Sequence, residues 1–132
     1  MSRYLLDANV VIALTVAEHE HHEAASAWLA TVRNFALCPI VEGALVRYLL
    51  RVGESMATAD AVLRGVRTSS RCAFWPDSIS YLDIDSPGLS GHRQVTDAYL
   101  AALARAHGEC VATFDAAMAM RHPADSLLVP RA

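Results

Sequence analysis

The chain has 132 residues, of which 54% are hydrophobic and 19% charged, and its formal net charge is −3. This length suits one domain with a true hydrophobic core, and no stretch approaches the ~18 uninterrupted apolar residues of a membrane span. Asp7 and Asn9 interrupt the apolar N-terminus too early for a signal peptide. We therefore predict a single cytoplasmic domain over residues 1–132 with no membrane association.

All eleven basic residues are arginine. The absence of lysine excludes a P-loop nucleotide site, which requires Gly-Lys-Ser/Thr. It also argues against receiver domains and haloacid-dehalogenase-like phosphatases, which place a lysine beside their strand-end aspartates. Cys38, Cys72 and Cys110 are odd in number and lack a CxxC spacing, so we expect buried free thiols rather than disulfides or a zinc site.

In chain order, the apolar pattern predicts strands that alternate with helices. The predicted strands are residues 3–6, 35–38, 79–84, 110–114 and 126–129. The predicted helices cover residues 9–16, 40–52, 54–68, 95–107 and 116–120, and a further helix follows the polar turn at 19–23. Pro87-Gly88 is expected to break the chain after the third strand. This alternation predicts an α/β fold with a central parallel sheet of four to five short strands and helices on both faces.

Four acidic residues lie at strand-to-helix junctions or in the first turn of a helix, among apolar neighbours. They are Asp7, Glu42, Asp97 and Asp115. Burying an unpaired charge is costly, and crowded carboxylates repel unless a cation joins them. The carboxyl ends of parallel strands share one edge of the sheet, so the pattern predicts one all-oxygen site for Mg²⁺, with Mn²⁺ able to substitute. Such a site indicates phosphate-ester chemistry.

The residues around these acids resemble those of PIN-domain ribonucleases, and more narrowly the VapC toxins of bacterial toxin–antitoxin pairs. The matching motifs are Leu5-Leu6-Asp7-Ala8-Asn9-Val10, His21-His22-Glu23-Ala24-Ala25 leading to Trp28-Leu29, Glu42 followed by Arg47, Gln94-Val95-Thr96-Asp97-Ala98-Tyr99-Leu100, and Thr113-Phe114-Asp115. Each motif alone is weak, but their order and spacing together are specific.

The resemblance implies a single PIN-like domain with the activity of an endoribonuclease that depends on Mg²⁺ or Mn²⁺. It implies cleavage of RNA, such as tRNA, ribosomal RNA or mRNA. It also implies a homodimer that is held inactive by a small antitoxin protein. Which RNA is cut and whether one ion or two takes part stay open.

The four acids have distinct expected roles. Asp7, Asp97 and Asp115 are expected to bind the ion directly or through one water, and Glu42 to bind it or to orient the attacking water. Helix capping or pairing with a helix dipole would explain any one of them alone.

Other residues near the acids are candidates for weaker roles. Asn9 and Thr113 could hydrogen-bond the aspartates or a metal-bound water, or make ordinary turn contacts. Arg47 and Arg93 are candidate phosphate contacts, with a solvated arginine as the alternative.

Two further sets of residues have alternative interpretations. We expect His19, His21 and His22 to mark a helix start near the surface rather than a zinc site, because adjacent histidines on a helix point in different directions. Leu45, Tyr48 and Leu49 could form core or a dimer face.

Two rival functions remain beside the toxin. One is a PIN-like nuclease that acts on DNA or in RNA processing, and the other is a catalytically inert binding module. All four acidic positions are filled, which disfavours the inert module, and the small size favours the toxin.

Overall fold

The computed structural model describes residues 3–84 and 89–131, which form five parallel strands and six α-helices. The strands are β1 (Arg3–Leu6), β2 (Asn34–Leu37), β3 (Cys72–Phe74), β4 (Cys110–Thr113) and β5 (Ser126–Leu128). The helices are α1 (Ala8–Thr15), α2 (His22–Ala30), α3 (Pro39–Arg51), α4 (Met56–Arg67), α5 (Val95–Ala106) and α6 (Ala116–Arg121). The predicted α/β class and parallel sheet are confirmed.

The sheet order β3-β2-β1-β4-β5 places the first strand at the centre. Tyr4 of β1 pairs with Phe35 of β2, and Leu5 pairs with Val111 of β4. The chain moves outward from β1 to β3 and then returns to β4 on the other side of β1. Because crossovers between parallel strands are almost always right-handed, this reversal puts helices on both faces of the sheet. The gap between the carboxyl ends of β1 and β4 is therefore the place where such folds bind ligands.

The two central strands are continuous apolar runs because helices cover both of their faces. Leu5 and Leu6 of β1, and Val111 and Ala112 of β4, are completely buried. Burying a leucine side chain stabilises a fold by roughly 2 kcal/mol. The ends of β1 and β4 are thus anchored in the hydrophobic core.

The apolar face of α3 belongs to this core. Leu45 is completely buried and Leu49 nearly so, while the partly exposed Tyr48 packs against the same cluster. Leu45 and Leu49 are therefore core residues and do not form a dimer face.

The predicted strand at residues 79–84 is wrong. Tyr81–Asp83 is a 3-10 turn, in which Ser80 Oγ accepts a hydrogen bond from the Leu82 N–H and the Asp83 carboxylate accepts one from the Ser80 N–H. These local bonds replace the pairing that a strand would need. The true third strand, β3, is a three-residue edge strand, too short to show a period. The predicted break at Pro87-Gly88 lies outside the described residues.

The three cysteines are free thiols, as expected, but only one is buried. Cys38 is buried at the end of β2, while Cys72 and Cys110 are partly exposed. Burial raises the pKa of the Cys38 thiol to about 11. Among the described helices none is both long and apolar enough to span a bilayer.

Arg71 connects the end of α2 to the sheet through hydrogen bonds. Its guanidinium donates hydrogen bonds to the carbonyls of Leu29, Val32 and Arg33. It also lies 5.9 Å from the ring centroid of Phe35. The Leu29 carbonyl also accepts from the backbone N–H groups of Thr31 and Val32, whereas Val32 and Arg33 belong to the link between α2 and β2. This one side chain therefore joins the end of the helix to that link.

We expect Arg71→Ala to lower the free energy of unfolding by roughly 1.5–3 kcal/mol, because three carbonyls lose a charged donor. Urea denaturation measures the change. Arg64→Ala is the matched control, since Arg64 bonds only to Asp60 on the exposed face of α4 and such pairs contribute little. Equal effects of the two substitutions would contradict the role given to Arg71.

Candidate metal centre

Asp7 is a buried carboxylate at the end of the central strand. The Asp7 N–H donates to the Ala112 carbonyl at 2.9 Å, which extends the β1–β4 pairing to this residue. Asp7 is also the N-cap of α1, and its Oδ1 accepts from the Ala8 N–H at 2.7 Å. Thr113 Oγ1 donates to Asp7 Oδ2 at 2.7 Å. Both carboxylate oxygens are thus fixed by neighbouring donors, and only 8% of the residue is exposed.

The Thr113 hydroxyl connects the residues of this edge. It donates to Asp7 and accepts from Asn9 Nδ2 at 3.3 Å and from the Asp115 N–H at 3.0 Å. Asn9 Oδ1 accepts from the Phe114 N–H at 3.1 Å. Thr113 therefore bonds an aspartate side chain directly, whereas Asn9 bonds the threonine and the backbone instead of an aspartate.

Asp115 follows β4 and begins α6. Its Oδ1 accepts from the N–H groups of Ala117 and Met118 at 2.9 and 3.2 Å. This is the helix-capping arrangement that the sequence left open as an alternative. It engages one carboxylate oxygen, so capping and ion binding are compatible on the same side chain.

Asp97 reaches the same edge from the first turn of α5. Arg121, in the last turn of α6, donates from Nη2 to Asp97 Oδ2 at 3.3 Å. The side chain of Asp97 is 17% exposed and that of Arg121 is 34% exposed. Nothing in the periodicity of the sequence signalled this arginine.

The negative charges of Asp97 and Asp115 act on Asp7, and that of Asp115 acts on Asp97. Burial raises the pKa of Asp7 to about 6, the negative charges of Asp97 and Asp115 add to this, and the bonds from Thr113 and Ala8 oppose it. The pKa of Asp97 is also raised, first by burial and then by Asp115, while Arg121 opposes the rise. These charge effects indicate that the three carboxylates lie near one another at this edge of the sheet.

Glu42 lies one strand further along the edge, in the first turn of α3. Arg67 Nη1 donates to Glu42 Oε2 at 2.6 Å, and the guanidinium of Arg67 also lies 4.4 Å from the ring centroid of Phe74. The charge of Glu42 helps burial to raise the pKa of Asp77. Glu42 therefore interacts with a second set of residues, including Arg67 and Asp77, which sequence patterns did not single out.

The two arginines proposed from the sequence are exposed. Nη1 of Arg47 lies 3.4 Å from where a Cβ on Gly43 would be, so this guanidinium folds back over Gly43 in the first part of α3. Arg93 lies in the 3-10 turn His92–Gln94 that precedes α5. Within the described ranges neither arginine forms an ion pair.

The histidine cluster makes three separate contacts. His19 Nδ1 accepts from the His21 N–H, His22 Nδ1 bonds the Ala13 carbonyl at 2.8 Å, and the His21 ring stacks on Phe114 at 4.9 Å. The predicted helix start is confirmed, since α2 begins at His22 with His21 as its N-cap, and all three histidines are partly buried. These contacts attach the start of α2 to its neighbours.

The donor set at the β1–β4 gap suits a hard cation in its chemistry. It consists of carboxylate oxygens, among which the pKa values of Asp7 and Asp97 are raised, and oxygen donors are those that Mg²⁺ and Mn²⁺ prefer. In the described part of the chain, however, no three acidic, histidine or cysteine side chains converge closely enough to enclose an ion. Arg121 on Asp97 and the cap contacts of Asp115 hold two of these carboxylates in other bonds.

Comparison with known proteins identifies the fold family. A family model described as the PIN domain matches residues 4–122. The chain belongs to the PIN-domain family. Two similar proteins are Ribonuclease VapC29 and Ribonuclease VapC39 of Mycobacterium tuberculosis. The first is 52% identical over 127 residues, which is 96% of each chain. The second is 38% identical over 126 residues, covering 87% of this chain and 90% of its own length.

Two solved structures share the PIN-domain fold with this chain. One is Mycobacterium tuberculosis VapC20, described as a Sarcin-Ricin loop cleaving toxin, with a TM-score of 0.66 and 18% identity over 90% of this chain and 94% of its own. The other is VapBC2 from Rickettsia felis, described as bound to a DNA fragment from the VapBC2 promoter. It has a TM-score of 0.64 and 19% identity, over 96% of both chains. At these identities the likeness concerns the fold.

We expect Asp7→Asn to raise the free energy of unfolding by roughly 1–3 kcal/mol at pH 7.5 in EDTA. Because the pKa of Asp7 is about 6 in the folded chain, the folded state binds its proton more tightly than the unfolded state does. That advantage is lost as pH rises from about 4 to about 6. Asparagine keeps the shape without the charge.

Urea denaturation at several pH values tests this expectation. The difference between Asp7→Asn and the unsubstituted protein should shrink as pH falls from 7.5 to 4.5. Asp60→Asn, on the exposed face of α4, should show no such trend. A less stable Asp7→Asn protein at pH 7.5 would mean that the buried carboxylate is not a source of instability.

Proposed function

We propose that this PIN-domain protein is a metal-dependent endoribonuclease that acts as the toxin of a toxin–antitoxin pair. The observation that carries the proposal is that Asp97 and Asp115 lie near enough to the buried Asp7, at the gap between β1 and β4, for their charges to raise its pKa. A ribonuclease that is 52% identical over nearly the whole length supports the same activity.

In the proposed site Asp7, Asp97 and Asp115 hold Mg²⁺, with Mn²⁺ able to substitute, and Glu42 holds it or orients the attacking water. Such an ion lowers the pKa of a bound water and offsets the negative charge that develops on the phosphate. The aspartates supply the charge that attracts it. Whether one ion or two is bound is not part of the proposal.

The residues around the proposed ligands then have defined roles. Thr113 fixes Asp7 through a charge-assisted hydrogen bond and is itself held by Asn9. Positioning of this kind is what outer residues contribute to metal sites. Arg47 and Arg93, exposed and without carboxylate partners in the described ranges, are proposed to contact phosphates of the substrate.

RNA is the proposed substrate class, and structured RNA such as ribosomal RNA or tRNA is the first to test, because the VapC20 toxin is described as cleaving the Sarcin-Ricin loop. DNA cleavage, a role in RNA processing and an inert binding module are the alternative outcomes. If the four acids of the site are left out of the count, the net charge of the chain becomes slightly positive. Such a charge is compatible with a nucleic-acid ligand.

We also propose that residues 1–132 act as one unit, in the cytoplasm, as a homodimer that a small antitoxin inhibits. The VapBC2 complex supports an antitoxin partner for this fold. The free thiols of Cys38, Cys72 and Cys110 suit a reducing compartment. Leu50, Val52 and Met56 are exposed apolar residues, and a dimer would cover surface of this kind.

Purified protein should cleave total RNA with Mg²⁺ or Mn²⁺ and stop in EDTA, because the carboxylates alone supply no activated water. Asp97→Asn should reduce the rate at least ~100-fold, by analogy with the loss of a group that stabilises the transition state. Fragment-end sequencing identifies the target. Cleavage by Asp97→Asn at the unsubstituted rate would refute the site. Cleavage of DNA but not of RNA would mean that the substrate is DNA.

Substitutions of Asp115 distinguish its helix-capping role from its proposed catalytic role. Asparagine is as good an N-cap as aspartate, so Asp115→Asn should unfold at nearly the same urea concentration as the unsubstituted protein while losing at least ~100-fold in RNA cleavage. Asp115→Ala should lose both stability and activity. If Asp115→Asn keeps full activity, the residue is a helix cap and no more.

A further inference from the structure

Arg121 is bonded to a carboxylate that the proposed function assigns to the metal ion. It donates to Asp97 Oδ2 from the last turn of α6, the helix that Asp115 begins. One short helix thus carries a proposed ligand at its start and a cation at its end. Arg121 is the one arginine of the described ranges that is paired with any of the three clustered aspartates.

The comparison with Arg67 shows how loosely Arg121 is held. Arg67 bonds Glu42 at 2.6 Å and also stacks against Phe74, so it is fixed on two sides. Arg121 bonds Asp97 at the longer distance of 3.3 Å, and this is its one side-chain hydrogen bond among the described residues. A partly exposed guanidinium with a single long bond can leave its partner at little cost.

A divalent ion and this guanidinium would compete for the same oxygens. Asp7 is buried and has both of its oxygens bonded to donors, and Asp115 has one oxygen engaged in its cap. Arg121 engages one oxygen of Asp97, and its positive charge there would repel a divalent ion bound to the same carboxylate.

We propose that Arg121 is an internal counter-ion that occupies Asp97 in the metal-free protein, is displaced when the ion binds, and then contacts a phosphate of the RNA. This inference rests on the proposed function. The displaced guanidinium would lie beside the ion with no carboxylate left to bind, and arginine binds phosphate oxygens in a bidentate manner.

The first experiment measures Mn²⁺ binding by titration calorimetry without RNA. Arg121→Gln removes the competitor, so its Kd for Mn²⁺ should be ~3- to 10-fold lower than that of the unsubstituted protein. Arg64→Gln, which removes an equal charge from the ion pair with Asp60 on exposed α4, should leave the Kd unchanged.

A high salt concentration distinguishes direct competition between Arg121 and the ion from a long-range effect of the arginine charge. In 0.5 M KCl the screening length is only about 4 Å, so a gain that comes from the Asp97 contact should persist there. A gain that disappears at this salt concentration, or an unchanged Kd in Arg121→Gln, would overturn the proposal. If the unsubstituted protein bound no Mn²⁺, the proposed function would fail instead.

The second experiment tests the contact with RNA at saturating Mn²⁺. Arg121→Gln should raise the KM for RNA cleavage ~5-fold or more, with a smaller change in kcat, and Arg121→Lys should restore part of the loss because it keeps the charge. Unfolding in EDTA checks that each variant is folded. An unchanged KM in Arg121→Gln would refute the phosphate contact.

Discussion

The hydrogen bond from the buried Thr113 hydroxyl to Asp7 joins the ends of the two central strands, and the arrangement of the functional edge depends on it. A hydroxyl has one donor and two acceptor positions, and Thr113 uses all three, on Asp7, Asn9 and the Asp115 backbone. The side chain therefore has no freedom to reorient. Two acidic residues from opposite ends of the chain are fixed relative to each other by one atom.

The same edge is a source of instability. Desolvation and mutual repulsion raise the pKa of Asp7 to about 6, so the folded chain near neutral pH carries a buried charge that it would be more stable without. Arg121 and the N–H groups of α6 offset part of the repulsion. Carboxylates with raised pKa values cluster at functional sites.

Much of the fold was predictable from the sequence, because long periodic helices and buried strands have strong patterns. The helix predicted at residues 40–52 is Pro39–Arg51, and the strand predicted at 110–114 is Cys110–Thr113. The edge strand Cys72–Phe74 was missed because three residues show no period, and the Ser80–Asp83 bonds turned an apolar stretch into a 3-10 turn.

The site was predictable only where it follows strand ends. Asp7 and Asp115 could be placed because parallel strands end at one edge. The contacts of Arg121 with Asp97 and of Arg67 with Glu42 join residues 24 and 25 positions apart on different helices. Such contacts depend on how the helices cross and leave no periodic signal.

The position of the first strand at the middle of the sheet also determines when during translation the protein can act. Thr113 follows Asp7 by 106 residues, so a nascent chain has its buried aspartate long before the hydroxyl that fixes it or the second strand-end acid has been made. β1 cannot gain its neighbour β4 until most of the chain has emerged. Under the proposed function, incomplete chains are therefore harmless to the RNA around them, and the ribosome that makes the nuclease is not exposed to it before synthesis is nearly complete.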